Sequence, residues 1–310
     1  MPSLAPIVLF AYSRPEHVRQ TLNALSVNTL ADQSDLVVYA DAARSEHDSE
    51  AVHAVRELIR GVSGFRSVLL IERATNYGLA RNIIEGVSEV LRQSERVIVL
   101  EDDMVTSPLF LTFMNEALDR YCDNDDVMHI SGYNYPMRTD GLPETFFLPP
   151  ASCWGWATWA RAWQHFSKDP SELARVFSAR QRRVFNLDGA FPFWTQVMLN
   201  AQGRMNTWAV FWYASIFRRK GLCLHPRQSY VQNIGHDDSG THTPQSSVFD
   251  VVLNSCRVEN WCETYSCNDL ALTRLKTYFR SVTSFRVKAR MLCETILGSF
   301  PHRSRARMCE

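Results

Sequence analysis

VIVLEDDM, Val97 to Met104, is the stretch whose reading decides the fold. Residues 97–100, with Arg96 in front, are apolar and mostly β-branched, without Gly or Pro, and read as a short buried strand. The strand runs straight into three carboxylates, Glu101, Asp102 and Asp103. Adjacent acids at the end of a buried strand repel one another and resist desolvation, so a positive charge is expected among them. A hard divalent cation, Mn²⁺ or Mg²⁺, suits oxygen ligands and is often shared with substrate phosphates. The plainer reading is a solvated acidic turn. Open α/β sheets bind their ligands at the carboxyl ends of parallel strands.

Upstream of this stretch, strand and helix patterns alternate. PIVLFAY (6–12), DLVVYAD (35–41) and SVLLIER (67–73) read as strands. RPEHVRQTLNAL (14–25) reads as a helix with Ser13 as N-cap and Pro15 in its first turn. SEHDSEAVHAVRELIRGV (45–62) carries Ala51, Val55, Leu58 and Val62 on one helical face. LARNIIEGVSEVLRQS (79–94) is the helix that leads into the acidic strand. The βαβαβαβ order predicts an α/β fold with a mostly parallel sheet, flanking helices and right-handed crossovers. Downstream, LFLTFMNEALDRYC (109–122) adds a helix and VMHISGYN (127–134) a strand. After about residue 140 the alternation gives way to an irregular, Trp-rich half: CWGWATWARAW (153–163), GAFPFW (189–194) and NTWAVFWYASIF (206–217). The last fifty residues or so read as an amphipathic helix and tail. No internal repeat or low-complexity tract is present.

Composition narrows the class. Of 310 residues, 45% are hydrophobic and 21% charged, as in ordinary globular enzymes. Lys plus Arg equals Asp plus Glu, 33 each, so no global field points to a nucleic-acid partner. The balance is uneven: between 274 and 307 nine Lys or Arg face a single acid, Glu294. The opening MPSLAPIVLFAYSRP lacks a basic leader and a small-residue cleavage site, and no window reaches the ~18 apolar residues of a membrane span. A cytoplasmic location is therefore expected. The eight cysteines form no CxxC pair, and they read as free thiols rather than a zinc site or disulfide framework.

Two further features lie at strand ends. AYSRP, with Ala11, Tyr12 and Arg14, follows the first strand, and Asp41 ends the second. A carboxylate there can accept from a ribose hydroxyl or a base N–H, although a lone Asp at such a place is commonly a turn residue. Neither turn carries GxGxxG or GxxxxGK[ST], which disfavours a dinucleotide fold and a P-loop NTPase. In TNYGLARN (75–82), Asn76 and Gly78 suit a tight turn, and Arg81 falls in the first turn of the next helix. A cation near a helix N-terminus is unfavourable unless it meets an anion.

In their order, these motifs resemble nucleotide-sugar-dependent glycosyltransferases of the GT-A fold. The likeness is to the branch around the N-acetylglucosaminyltransferase that initiates complex N-glycans, and to its bacterial relatives. CWGWATW, NTWAVFWYASIF and NIGHDDSGTH (233–242) resemble the same bacterial branch, and the resemblance covers roughly residues 5–245. It implies a catalytic domain over 1–250, with 1–135 holding the nucleotide sugar and 136–250 the acceptor, and a basic amphipathic extension over 251–310. It implies that Ala11, Tyr12 and Arg14 line the nucleotide pocket, that Asp41 contacts the base, and that Asn76 and Arg81 stand by the nucleotide or its phosphates. Glu101 and Asp102 would hold ribose and sugar. Asp103 would ligate the Mn²⁺ or Mg²⁺, with His242 and His236 as further metal or phosphate contacts. Trp154 or Trp156 would border the acceptor, with Trp208 and Trp212 in the core.

Inversion at an anomeric carbon needs a carboxylate to take the acceptor proton. NTWAVFW, where related enzymes place an acid, has none; Asp188 is the candidate, followed by Asp237 and Asp238. A retaining mechanism would need no such base. The activity implied is transfer of a hexosyl or N-acetylhexosaminyl group from a UDP-linked donor to a glycan or lipid-linked saccharide in surface polysaccharide synthesis. Leu275, Phe279, Val282 and Phe285 beside the basic residues of the tail would let it lie on an anionic inner membrane face. A packed C-terminal helix is the alternative. Two rivals remain at this stage: a nucleotidyltransferase, which lacks its basic Gly-rich loop here, and a non-catalytic glycan-binding module.

Overall fold

A computed structural model describes residues 4–237 and 247–283 of the chain. In order the elements are β1 (Ile7–Ala11), α1 (Pro15–Ser26), β2 (Asp35–Ala40), α2 (Ser49–Arg60), β3 (Ser67–Glu72), α3 (Gly78–Leu91) and β4 (Arg96–Glu101). Then follow β5 (Met104–Thr106), α4 (Phe110–Arg120), β6 (Val127–Ser131), β7 (Thr145–Leu148) and β8 (Trp156–Trp159). The remainder comprises α5 (Ala160–Trp163), α6 (Pro170–Val176), α7 (Ala179–Phe185), α8 (Phe193–Ala201), α9 (Ala209–Arg219), β9 (Leu222–Pro226), β10 (Val231–Asn233) and α10 (Asp269–Val282).

Eight strands form one sheet in the order β3-β2-β1-β4-β8-β6-β9-β7. β1 to β4 are mutually parallel, β6 is parallel to β9, and β8 and β7 run against their neighbours. This is the α/β architecture, with a mostly parallel sheet and flanking helices, that the alternation predicts. The irregular half hides more order than its pattern reveals. WATW (156–159) is β8, hydrogen-bonded between β4 and β6 in the middle of the sheet.

Both faces of the sheet are covered, which is why VIVL is apolar at every position rather than at alternate ones. Ile98 and Leu100 pack with α1, α2 and α4, together with Ile7, Leu9, Val18, Leu22, Val55 and Leu118. Val97 and Val99 face the other way, with Val8, Phe10, Ile83, Val87, Trp208 and Trp212. α3 sits close on the sheet because Gly86 has no side chain: a Cβ there would stand 2.6 Å from the Phe10 ring.

The start of α1 differs from the sequence reading, and the described part of the tail follows the packed-helix alternative. Arg14, not Ser13, is the N-cap of α1, and it caps without its side chain, which is drawn elsewhere. Leu275 and Phe279, proposed for a membrane face, are 0% and 2% exposed and pack with Phe146, Leu148 and Leu187. Trp261 stacks on Phe113, centroids 5.5 Å apart, and Tyr121 Oη donates to the Cys262 carbonyl at 2.8 Å. The described part of 251–310 is thus built into the body rather than appended to it; the basic residues from Arg286 onward lie outside the described residues. The six described cysteines are free.

Two stability predictions follow from this packing. Helix propensity alone makes Gly86→Ala stabilising by ~1 kcal/mol. Overpacking against Phe10 and Tyr39 reverses the sign, and the variant should lose ~1–3 kcal/mol by denaturant titration. The second concerns His129, wholly buried on β6. Its Nδ1 accepts from Trp212 Nε1 at 3.0 Å, and its Nε2 lies 2.9 Å from the Ser152 carbonyl, so the neutral ring is satisfied on both sides. Burial holds its pKa down at about 3. The unfolded chain takes up this proton near pH 6.5, whereas the folded chain does not, so stability falls with pH below that point. His129→Gln removes the titration. Its stability deficit against wild type should therefore shrink from pH 7.5 to 5, by up to about 1.4 kcal/mol per unit below 6.5. A constant deficit would show that His129 titrates normally.

Candidate active site

The sheet order turns back between β1 and β4: β2 and β3 continue on one side of β1 and β4 lies on the other. Ligand crevices in open α/β sheets form outside the carboxyl ends of strands at such a point. The registers Phe10↔Glu101 and Ala11↔Ala40 bring three loop starts to one level: Tyr12, Asp41 and Asp102.

A guanidinium meets the carboxylates here. Arg14 Nη2 donates to Asp103 Oδ2 at 2.8 Å and to Asp102 Oδ1. The Tyr12 N–H reaches Asp102 Oδ2 at 3.3 Å, and Thr21 Oγ1 donates to the Asp102 carbonyl at 2.8 Å. The first turns of α1 are therefore fastened to the segment after β4. One cation does not neutralise three acids. Burial, with Asp103 and Asp102 alongside, pushes Glu101 up to about 8. Burial also raises Asp102, and Arg14 limits that rise. Asp103 Oδ1 is buried without a hydrogen-bond partner among the described residues.

The segment after β10 closes over this cluster. β10 pairs antiparallel with β5, Asn233 opposite Met104. The Ile234 N–H then donates to the Asp103 carbonyl at 2.9 Å. Gly235 follows, where a Cβ would lie 2.2 Å from Asp103 Oδ2 and 3.1 Å from Arg14 Nη1. Only glycine lets the backbone pass so near. His236 comes next, stacked on Phe249 and edge-on to Trp154, with both ring nitrogens buried and without a hydrogen-bond partner among the described residues. Burial lowers its pKa, while Asp103 and Asp250 pull the other way. Asp237 Oδ2 lies 3.1 Å from His17 Nε2 on α1. Beside this segment opens a cleft of about 510 Å³ lined by Gln232, Asn233, Ile234, His236, Ser247, Asp250 and Val251.

Among the described residues no group of three or more His, Cys, Asp or Glu side chains is arranged to hold a metal. The donors present are Asp103 Oδ1 and the His236 ring, both buried without hydrogen-bond partners among those residues. Such a pair fits a cation that draws its remaining ligands from substrate phosphates and water rather than from a protein cage.

The other sequence candidates divide. Ala11 is the buried last residue of β1, below the site. Asp41 is turned to the backbone: it accepts from the Ala42 and Tyr77 N–H groups at 2.9 and 2.8 Å and from Gly78 at 2.9 Å. Asn76 Nδ2 donates to the Ala42 carbonyl at 2.7 Å. Asp41 and Asn76 therefore latch the TNYG turn onto the end of β2, and Asp41 is an anion at the N-terminus of α3. Arg81 points to Glu85 at 2.6 Å and over the Tyr77 ring at 3.9 Å, so a neighbouring side chain supplies its anion.

Trp154 borders the His236 segment, but Trp156 is a correction: it is fully buried in β8 between His129 and Trp208. Trp208 and Trp212 are core residues, as expected. Asp188 is the other correction. Lys276 Nζ holds it at 2.7 Å, with Arg183 at 3.7 Å, and the bond from Lys276 lowers its pKa, which makes it a poor proton acceptor. Asp237, the other described candidate, lies beside α1 with His17 as its partner. Asp238 and His242 lie outside the described residues. His17, Thr21 and Asp250 escaped the sequence reading; His17's spacing of three from Arg14 on α1 was the one signal available.

No family model matches the sequence, and no curated protein matches it. Among solved structures it is similar to the mannosyltransferase PcManGT from Pyrobaculum calidifontis in complex with GDP-Man and Mn²⁺, at 14% identity and a TM-score of 0.39, over 71% of this chain and 70% of that one. It is also similar to S. aureus TarS, at 15% identity and a TM-score of 0.28, over 41% of this chain and 21% of that one.

The latch can be tested by itself. Asp41→Ala removes the acceptor of three backbone N–H groups and should cost ~1–3 kcal/mol in a denaturation experiment, with Asp41→Asn recovering part of it.

Proposed function

We propose that this chain is a metal-dependent glycosyltransferase that uses a nucleotide-diphosphate sugar. One observation carries the reading. At the carboxyl ends of β1 and β4, where the sheet order reverses, Arg14 meets Asp102 and Asp103, Asp103 Oδ1 has no hydrogen-bond partner among the described residues, and His236, likewise unpartnered among them, lines an open cleft. The order of motifs in the sequence adds the GT-A resemblance.

In this reading Asp103 and His236 hold Mn²⁺ or Mg²⁺, which supplies Lewis-acid neutralisation of a leaving diphosphate. Tyr12 and Arg14 border the nucleotide, and Arg14 offers a second positive charge to the phosphates. Glu101 and Asp102 hold sugar and ribose hydroxyls. Asp237 takes the acceptor proton in an inverting transfer, with His17 holding the carboxylate in place. Trp154 offers a ring face to a saccharide acceptor beside the cleft. The donor is UDP-linked and the acceptor a hydroxyl of a glycan or lipid-linked saccharide, in surface polysaccharide synthesis at the cytoplasmic side of a membrane; these finer points rest on the resemblance.

Calorimetric titration of UDP and GDP with and without Mn²⁺ tests the reading. Wild type should bind one nucleotide far better with the metal. Asp103→Ala should lose that enhancement while remaining folded by circular dichroism, and Gly235→Ala should weaken it at least about tenfold through the clash with Asp103. Asp237→Asn should keep nucleotide binding and lower turnover by ~10²–10⁴-fold. An Asp103→Ala protein that still gains affinity from Mn²⁺ would refute the metal assignment.

A further inference from the structure

Arg14 covers the acids that it holds. Its side chain is 23% exposed, against 7% for Asp102 and 12% for Asp103, so the guanidinium forms the solvent side of the cluster. One nitrogen, Nη2, serves both carboxylates: it lies 2.8 Å from Asp103 Oδ2 and donates to Asp102 Oδ1 as well. The Gly235 backbone presses in alongside, close enough for a Cβ there to stand 2.2 Å from Asp103 Oδ2 and 3.1 Å from Arg14 Nη1. Asp103 Oδ2 is thus occupied by a cation of the chain itself. Oδ1 is left for another, with no hydrogen-bond partner among the described residues.

A dication at Oδ1 and the guanidinium at Oδ2 draw on one negative charge and repel each other. A diphosphate changes that balance. Its oxygens accept from a guanidinium as a carboxylate does, and they carry more charge. The local structure lets Arg14 change partners. Arg14 is the N-cap of α1 through its backbone alone: its carbonyl accepts from the Val18 N–H at 3.0 Å, and its side chain makes no cap bond. The guanidinium can therefore leave the carboxylates without unwinding the helix. The Tyr12 N–H and Thr21 Oγ1 stay on Asp102, at 3.3 and 2.8 Å, and keep the loop and α1 fastened to the segment after β4.

We propose that Arg14 is an exchangeable counter-cation: it holds Asp103 against a lone metal ion and releases it when a diphosphate takes the guanidinium. Mn²⁺ or Mg²⁺ then binds together with the nucleotide and poorly before it. The proposal rests on the metal and nucleotide reading above and adds the residue that sets the order of binding. An Arg14 that stayed in place would repel the metal equally with and without nucleotide. Exchange instead makes each ligand raise the affinity for the other.

Calorimetric titration of Mn²⁺ alone, and of UDP and GDP with and without Mn²⁺, into wild type, Arg14→Lys and Arg14→Gln provides the test. Arg14→Gln should bind Mn²⁺ alone at least about tenfold more tightly than wild type, with Arg14→Lys in between because its shorter side chain holds the acids less well. In Arg14→Gln the factor by which Mn²⁺ raises nucleotide affinity should fall by about the same tenfold. Arg14→Lys keeps a positive charge beside the buried acids, so the order of affinities can be read even where Arg14→Gln fails to fold. A variant of either kind that binds Mn²⁺ alone no better than wild type overturns the proposal. So does an Arg14→Gln protein whose Mn²⁺ enhancement equals that of wild type, since Arg14 then does not change partners. Both outcomes leave the metal and nucleotide reading standing. A wild type whose nucleotide affinity gains nothing from Mn²⁺ refutes that reading, and the exchange with it.

Discussion

The guanidinium of Arg14 lies between two carboxylates that a buried strand has delivered into the protein's interior, and much of the site is arranged around that contact. Asp102 and Asp103 are in place because β4 is covered on both faces and runs out beside β1. Arg14 reaches them because α1 starts one residue after it, so the chain turns at the carboxyl end of β1 with the side chain inward. Thr21 on α1 and the backbone N–H of Tyr12 add bonds to Asp102. A buried acid pair left without its cation would shift its pKa or draw in water. With Arg14 in place, two of the three acids are paired, burial pushes Glu101 towards its neutral form, and among the described residues Asp103 Oδ1 is left without a hydrogen-bond partner.

The short β5–β10 ladder holds the 233–237 segment against the acids, and Gly235 permits an approach that any side chain would block. The ladder is followed by His236 and Asp237, one with ring nitrogens that have no partner among the described residues and the other held by His17. Contributions separated by more than 130 positions in the chain thus meet over one strand end. The loops nearest the site are stiffened by local latches. Asp41 uses both of its oxygens to hold the turn before α3, and Asn76 closes the same turn from the other side. Arg81, freed from any need for a ligand anion, is satisfied by Glu85 and Tyr77.

The Trp-rich half behaves mainly as core. Trp156, Trp163, Trp208 and Trp212 form one aromatic cluster under the sheet, with His129 as their neutral polar partner. Trp154, two positions before Trp156 in the chain, lies beyond the end of β8 and meets His236 instead. The difference between a core tryptophan and a cleft tryptophan is therefore the end of a strand that the sequence does not announce.

What the sequence determined by itself was local and periodic. Runs of apolar residues, helical spacing and the acids after VIVL were enough to place β1 to β4, α1 to α4 and the strand end that carries Glu101, Asp102 and Asp103, because each signal lies within one element. Tertiary structure decided the partners. That Arg14 supplies the cation, that Asp41 serves the backbone, that Asp188 is tied to Lys276 while Asp237 meets His17, and that WATW is a central strand all depend on contacts between distant segments. A carboxylate's role is set by which donors surround it, and a short strand's existence by the neighbours it pairs with. Neither quantity is encoded in spacing along the chain, and both are fixed only when the sheet has closed.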